Sequence, residues 1–370
     1  MKVIFAGTYD AAFNRNKRLQ ALLEEQGHEV VACNVELWGS TRYDIMGERK
    51  VQMLTRGLLA YPKLIWRFLR VKRADAVFAM YPGWFDMVVL APLAKLRRMP
   101  IVFDPFISLY DTAVADRKVA GEGSLLGRIS KLVDRLSMRW ATRILADTPE
   151  HAAYYTQLTG VAPADTGVVW LGAQDDVFGP RADVQPVENR VLFHGTFIGL
   201  QGIETILRAA KLLEPDGIPV RIVGSGQEQP MVDALMEELQ PSNVELVGRV
   251  PLEQVVDEIA AASVCLGIFG TSQKAGRVVP NKVFECTAVG RPVITADTPA
   301  LRGAFSDTEL ALVPAGDPEA LANEIRRLLA DPDTREKMAA AAHERYVENF
   351  STVPLSRLLD EQLRLARSPR

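Results

Sequence analysis

The densest chemistry in this 370-residue chain lies at 276–292, Gly-Arg-Val-Val-Pro-Asn-Lys-Val-Phe-Glu-Cys-Thr-Ala-Val-Gly-Arg-Pro. Proline at or near the first position of a helix loses nothing by lacking an N–H, and a glycine followed by a proline marks a helix stop. Pro280 and Gly290 therefore bracket a helix with Asn281 and Lys282 in its first turn. Unpaired backbone N–H groups and the positive end of the helix dipole make that turn an anion site. Lys282 adds a full charge, and Arg277 lies just upstream. Glu285, one turn on, can accept both hydroxyls of a ribose while the helix end holds a diphosphate. One helix end would then recognise the two parts common to every nucleotide sugar. An ordinary capped helix with a solvated Lys282–Glu285 pair fits the same residues.

Two glycine-rich loops strengthen the first reading. The segment 194–202, His-Gly-Thr-Phe-Ile-Gly-Leu-Gln-Gly, stands between a strand and a helix, where open α/β sheets bind ligands. It supplies Gly195, Thr196 and Gly202 as candidate donor contacts, with His194 as a contact or a simple anchor of the turn. Gly224, Ser225 and Gly226 follow the next strand and let the backbone approach a base or phosphate, and Arg249 after the third strand joins the set. Neither glycine loop reads as a dinucleotide fingerprint: the third glycine position after Gly224 is Gln229, and Gly7-Thr8-Tyr9-Asp10 also fails. That argues against a nicotinamide or flavin enzyme.

The elements that must carry these loops alternate along the chain. Short apolar runs at 3–6, 28–33, 76–79, 101–103 and 144–146 read as buried strands, with a helix at 19–26. A polar stretch at 180–189 follows, and a boundary is expected near 179–188. A second series then begins: strands at 191–194, 220–223, 244–247, 264–268, 292–295 and 311–313, separated by helices at 203–213, 230–238, 252–262, 282–289 and 319–329. Strands alternating with helices predict βαβ units and parallel sheets. The expected division is 1–180, 181–350 and a helical tail at 351–370. Thr148-Pro149 reads as a helix cap, and His28 as structural.

Composition narrows the class. Hydrophobic residues make up 48% and charged residues 24%, as in a globular protein, and 43 basic residues nearly balance 46 acidic ones. That balance gives no support for nucleic-acid binding. Cys33, Cys265 and Cys286 form no disulfide framework, and with four histidines, none paired, no metal site is expected. The N-terminal apolar run breaks at Gly7, too early for a signal peptide, and no apolar stretch reaches the ~20 residues that span a bilayer. A cytoplasmic protein is expected.

With these residues assembled, the chain resembles the family-four glycosyltransferases of the GT-B fold. The resemblance rests on 195–202, 224–226, 243–248 (Asn-Val-Glu-Leu-Val-Gly), 280–295, 316–321 (Gly-Asp-Pro-Glu-Ala-Leu) and 168–180. It implies an α/β fold of two Rossmann-like domains facing across a cleft, with the C-terminal helix crossing back to the first domain. It implies retaining transfer, of hexosyltransferase type, from a nucleoside-diphosphate sugar with no required cofactor or metal. The second domain would bind the donor. The family usually has two glutamates separated by seven residues on the donor helix; Glu285 matches the second, the ribose contact, and Arg277 stands at the first. It usually has an Arg and a Lys in the glycine-rich loop, where this chain has Thr196 and Gln201. Arg277 and Lys282 are read as having taken over the phosphate.

The first domain would bind a glycan or lipid-linked acceptor, with Gly7, Thr8, Asp10, Asp104 and Asp111 as candidate contacts. The family's histidine after the fourth strand is absent from 103–111, Phe-Asp-Pro-Phe-Ile-Ser-Leu-Tyr-Asp. Asp104 is the nearest polar residue to serve the reacting centre beside Arg277 and Lys282, or else a cap of its loop; Asp111 and Asp116 are further candidates. A nucleotide-sugar epimerase and a non-catalytic nucleotide-sugar-binding partner are the alternatives.

One segment points elsewhere. Between Arg49 and Arg73 lie Arg49, Lys50, Arg56, Lys63, Arg67, Arg70, Lys72 and Arg73, interleaved with Leu58, Leu59, Leu64, Ile65, Trp66, Phe68 and Leu69. Such a pattern predicts helices, split at Pro62, that either bind an anionic membrane surface or pack on the first sheet with a solvated basic face.

Overall fold

The computed structural model describes residues 1–37, 50–116, 121 and 123–368, with the backbone alone for 50–56, 58, 115 and 116. Arg49 and the side chains of Lys50, Arg56, Leu58 and Asp116 lie outside the described residues.

The first unit comprises Met1–Trp170 and Thr352–Arg370. Its elements run β1 (Lys2–Gly7), α1 (Asn14–Glu25), β2 (Glu29–Asn34), α2 (Lys50–Arg70), β3 (Ala76–Ala79), α3 (Asp86–Leu96), β4 (Ile101–Phe103), α4 (Leu125–Arg139), β5 (Arg143–Ala146), α5 (Pro149–Thr159) and β6 (Thr166–Val168). The strands form one parallel sheet in the order β2-β1-β3-β4-β5-β6. In β1 alternate side chains serve opposite cores. Val3 and Phe5 pack with Leu19, Leu22 and Leu23 of α1, while Ile4 and Ala6 pack with Leu64 and Phe68 of α2 and Met87 and Leu90 of α3. Helices on both faces are what make these strands continuous apolar runs.

The second unit, Leu171–Ser351, repeats the scheme. It holds β7 (Val191–His194), α6 (Ile203–Leu213), β8 (Val220–Val223), α7 (Gln229–Leu239), β9 (Val244–Val247), α8 (Leu252–Ala261), β10 (Val264–Leu266), α9 (Asn281–Val289), β11 (Val293–Ala296), α10 (Pro299–Ala304), β12 (Ala311–Val313), α11 (Pro318–Ala330) and α12 (Pro332–Asn349). Its parallel order is β12-β11-β10-β7-β8-β9. Strand order therefore reverses between β10 and β7, which places a crevice outside their carboxyl ends. The chain leaves the first unit at Trp170, ahead of the polar stretch at 180–189. Ala173 and Phe178 are buried in the second unit, where the Tyr346 hydroxyl meets Ala173 N and Asp175.

The last helix, α13 (Thr352–Arg367), returns to the first unit. Leu355, Leu359, Leu363 and Ala366 bury one stripe beside α1, and His28 Nε2 lies 2.9 Å from Asp360. Two local expectations fail. Helix α1 begins at Asn14, five residues before the expected start, because Arg15 and Asn16 are buried by polar partners and give no apolar signal. Helix α2 is not split at Pro62. Ala60, Leu64 and Phe68 are buried on either side of the proline, and that packing outweighs one lost backbone hydrogen bond.

Buried carboxylates fasten the loops at the carboxyl ends of the first sheet. Asp86, at the start of α3, accepts from the Thr8 amide at 2.7 Å and the Thr8 hydroxyl at 2.9 Å. A side chain on Gly7 would meet Asp86 Oδ2 at 2.5 Å, so only glycine admits this clamp. Burial pushes the Asp86 carboxyl up to about 6, outweighing the hydrogen bonds from Thr8 and Tyr61 that favour its charged form. Because the folded value lies above the unfolded one, the stability this group contributes is complete below its unfolded pKa and is lost as pH rises through about 6. Asp86→Asn keeps an acceptor for the Thr8 amide and removes the ionisation. Its stability should lack that part of the pH slope, up to about 3 kcal/mol for a shift of roughly two pH units. Urea unfolding at about pH 4 and about pH 7 tests it; equal slopes in both proteins would mean that Asp86 ionises in the fold as it does in the unfolded chain.

Candidate active site

Three segments meet at the carboxyl ends of β7 and β10: the loop after β7, the loop after β8, and the first turn of α9. Helix α9 starts at Asn281, with Pro280 as an extended N-cap rather than as its first residue, and no side chain caps its first turn. It ends at Gly290, at φ 81°. The donor of charge is not where an exposed first turn would hold it. Lys282 is 5% exposed and runs inward, its Nζ 2.6 Å from Gln201 Oε1 and 3.5 Å from the centre of the Phe193 ring. Burial pushes its pKa well below the ordinary lysine value, and Glu285 beside it opposes that shift only in part. Gly195, at φ 146°, leaves room beside the ammonium: a Cβ there would stand 3.0 Å from Lys282 Nζ and the lysine would have to shift slightly.

Glu285 is half-buried, and its Oε2 lies 2.9 Å from His194 Nε2 at the end of β7. His194 Nδ1 is buried without a hydrogen-bond partner. With Nε2 as the protonated nitrogen, His194 donates to Glu285 and holds one carboxylate oxygen while Oε1 is left to other donors. The sequence reading put Glu285 in the site, left His194 open as a contact or a simple anchor of its turn, and did not pair the two.

The glycines of the second loop are required by packing. A Cβ on Gly224 would lie 1.9 Å from the Gly195 carbonyl oxygen, and Gly226 bridges to Phe197. These glycines let loop approach loop, and so fix the backbone around Gly195. Gly202 closes the turn Gly199–Gln201 at φ 66° and begins α6. Thr196 is half-buried. Exposed Arg249 donates from Nε to Ser225 Oγ at 3.0 Å. Arg277 ends a short turn, Ala275–Arg277, and is half-buried ahead of α9. Lys282 with Gln201 and His194 with Glu285 thus form two polar pairs, with Glu285 near enough to act electrostatically on Lys282; Arg277 and Arg249 lie in the loops that follow β10 and β9.

The first unit treats its candidates differently. Asp104, read either as facing the reacting centre or as capping its loop, is fully buried on Arg15, whose Nε lies 3.0 Å from Oδ2. The same guanidinium donates to the Val169 carbonyl at 2.8 Å and the Trp170 carbonyl at 3.2 Å. Burial pushes the Asp104 pKa up and the Arg15 charge pulls it down. Asp104 therefore ties the end of β4 to α1 and to the segment leaving the unit. Thr8 is held by Asp86, Gly7 lies against that carboxylate, Asp10 accepts from Ala12 N at 2.8 Å, and Asp111 is buried, its amide on Ser108 Oγ at 3.0 Å. Among the described residues no group of His, Cys, Asp and Glu could hold a metal ion, and no helix is long and apolar enough to cross a membrane.

Comparison with known proteins agrees with this geometry. Residues 14–172 match the glycosyl transferase 4-like domain family, and residues 201–354 the glycosyl transferase-like family. D-inositol 3-phosphate glycosyltransferase of Kribbella flavida is 31% identical over 317 residues, covering 76% of this chain and 72% of that protein. Lipopolysaccharide core biosynthesis glycosyltransferase LpsE of Rhizobium meliloti is 27% identical over 162 residues, covering 44% of this chain and 45% of that protein. Among solved structures, sucrose-phosphate synthase from Thermosynechococcus elongatus superposes with a TM-score of 0.77 at 20% identity, over 98% of each chain. Anabaena Alr3699/HepE, solved in complex with UDP and glucose, does so at 0.73 and 17% identity, over 98% of this chain and 99% of that one. Two parallel α/β units, two glycosyltransferase family matches that span most of the chain, and a relative of this identity over most of its length lead to one conclusion: the chain belongs to the GT-B glycosyltransferases.

Proposed function

We propose that the chain moves a sugar from a nucleoside-diphosphate sugar to a glycan or lipid-linked acceptor, with retention at the anomeric carbon and without a metal. The observation that carries this reading is the Lys282 ammonium on Gln201. The family usually places a lysine at position 201; here the cation comes to that point from α9. The charge has changed its element while keeping its place beside the uncapped helix end.

In this mechanism Glu285, steadied by His194, accepts the ribose hydroxyls. The diphosphate lies over the first turn of α9, between Lys282 and Arg277. As the sugar leaves, negative charge grows on the β-phosphate, and Lys282, Arg277 and the free amides stabilise it. An arriving diphosphate also restores the proton affinity that burial takes from Lys282. The acceptor hydroxyl attacks from the face that the leaving group vacates. Asp104 acts here as a positioning residue through Arg15, not as a group on the acceptor. Gly7, Thr8, Asp10 and Asp111 would shape the acceptor side from the loops that Asp86 and Ser108 hold.

An acceptor carried on lipid fits the segment between Arg49 and Arg73. Helix α2 buries Leu64 and Phe68 and exposes Leu59, Trp66 and Leu69 beside Lys63 and Arg70, the Arg70 guanidinium lying 4.2 Å above the Trp66 ring. That combination suits an anionic surface, and so a cytoplasmic protein at the inner face of the membrane.

A panel of nucleotides scored by thermal stability tests the donor site. One nucleoside diphosphate at about a hundredfold excess over its Kd should raise stability by roughly 2.7 kcal/mol, and Glu285→Ala should abolish the shift. A well-folded sample that responds to no nucleotide would remove the donor assignment. Lys282→Met keeps a side chain of similar length over Phe193 and removes the charge together with the hydrogen bond to Gln201. It should weaken the nucleoside diphosphate about tenfold or more, as expected for a lost charge-assisted hydrogen bond, and leave the parent nucleoside unchanged. Equal loss for both ligands would mean that Lys282 supports the fold of the site and does not meet phosphate. Turnover that requires an added acceptor separates transfer from epimerisation.

A further inference from the structure

Helix α4 is turned inside out. Its inward face carries Gly127, Ser130, Asp134 and Ser137, with Met138 the one large apolar residue among its buried side chains. Leu125, Ile129, Leu132, Leu136 and, just past the end, Trp140 follow one another at helical spacing on the outward face, between 37% and 75% exposed. A water-facing helix of a globular protein has the opposite arrangement, and an exposed apolar stripe of this length marks an interaction surface. Arg128, Lys131, Arg135 and Arg139, all exposed, form a second stripe along its flank.

The surroundings extend the pattern. Helices α2, α3, α4 and α5 lie in one layer on the same face of the first sheet. Twelve of the nineteen exposed large hydrophobic side chains among the described residues belong to α2, α3, α4 and the residues at their ends. These three helices contain two acids, Asp86 and Asp134, and both are buried. In a chain of net charge −3, the described residues of these three helices thus present cations and apolar groups and no exposed carboxylate. Where the apolar stripe ends at Trp140, a cavity of about 580 Å³ opens between the ends of α3 and α4, lined by Lys95, Arg98, Arg139, Pro92, Thr142 and Trp140 itself. Arg139 is fixed there by the Thr159 carbonyl, 2.9 Å from its Nε.

We propose that the outer face of α3 and α4 docks on an anionic lipid bilayer, the apolar stripe entering the headgroup boundary and the basic cavity taking a phosphate headgroup. Apolar side chains flanked by cations on one helix face are what such a surface holds. A second copy of the chain fits less well, since a two-fold contact would set basic stripe near basic stripe. This surface is distinct from the segment between Arg49 and Arg73, and it does not depend on the donor chemistry.

Flotation of the full chain with phosphatidylcholine vesicles, with and without phosphatidylglycerol, tests the proposal. Partition should be about tenfold or more higher with the anionic lipid and should fall as salt rises. Leu132→Ser with Leu136→Ser, and separately Arg128→Glu with Arg135→Glu, should each lower it about tenfold, while melting temperature and the nucleotide response stay unchanged. Trp66→Ser with Leu69→Ser on α2 should lower it less. A folded chain that ignores anionic vesicles, or α4 variants that partition like the parent, would overturn the assignment. So would a concentration-dependent dimer lost in the α4 variants without vesicle binding, which would give the face to a second copy. Failure here with an intact nucleotide shift leaves the donor site standing.

Discussion

An ammonium group removed from water must find compensation, and in this chain it finds only part of it. Lys282 has one amide oxygen and one aromatic face, and burial holds its pKa well below normal. That incomplete compensation organises the second unit. Gly195 leaves room beside the lysine, Gly224 must lack a Cβ for its loop to pack on the Gly195 carbonyl, and Gln201 turns inward to meet the charge. Helix α9 leaves its first turn without a side-chain cap on the same edge. Each feature alone is ordinary. Together they describe a place where a phosphate would complete what the protein leaves unfinished.

The first unit uses charge in the opposite sense. Asp86, Asp104 and Asp134 are buried with donors already in place: Thr8 for the first, Arg15 for the second, and Ser108 with the amides of Leu109 and Tyr110 for the third. These carboxylates fasten loops at the carboxyl ends of β1 and β4. One sheet therefore holds its loops with satisfied anions, and the other keeps a cation partly unsatisfied. The two units share a topology while their polar groups do different work, which is why function has to be argued from the site and not from the fold.

The same contrast explains what could be read from sequence. Strands buried on both faces appear as apolar runs, and nearly every expected strand stands where its run lies, with β6 the one not anticipated. The donor helix was legible because proline, lysine, glutamate and glycine fall within one short element. Pairs that close over distance were not. His194 and Glu285 are 91 residues apart, Arg15 and Asp104 are 89, and Thr8 and Asp86 are 78. No periodicity spans such gaps. Asp104 looked like a free acid after a strand because its cation lies in a helix whose buried face is polar. Lys282 looked outward because a first-turn lysine normally is; its inward partners, Gln201 and the Phe193 ring, lie 81 and 89 residues away.

Helix α4 sets a buried acid on one face and an exposed apolar stripe on the other. Its inward face is polar because Asp134 must reach the loop after β4, where it accepts from Ser108 at 2.6 Å, Leu109 at 3.0 Å and Tyr110 at 2.9 Å. Burial pushes that carboxyl up to about 6, so the position is costly and is held by its hydrogen bonds. With Asp134 turned toward the loop and Ser130 and Ser137 buried on the same face, helical geometry leaves the leucines of the opposite face no interior to enter. A smaller polar contact could have spared them, or polar residues could have replaced them on the outside. The chain does neither: it keeps the leucines, sets cations beside them, and places no exposed acid on the neighbouring helices α2 and α3. An outward face built that way is matched to a medium that is apolar within and anionic at its surface.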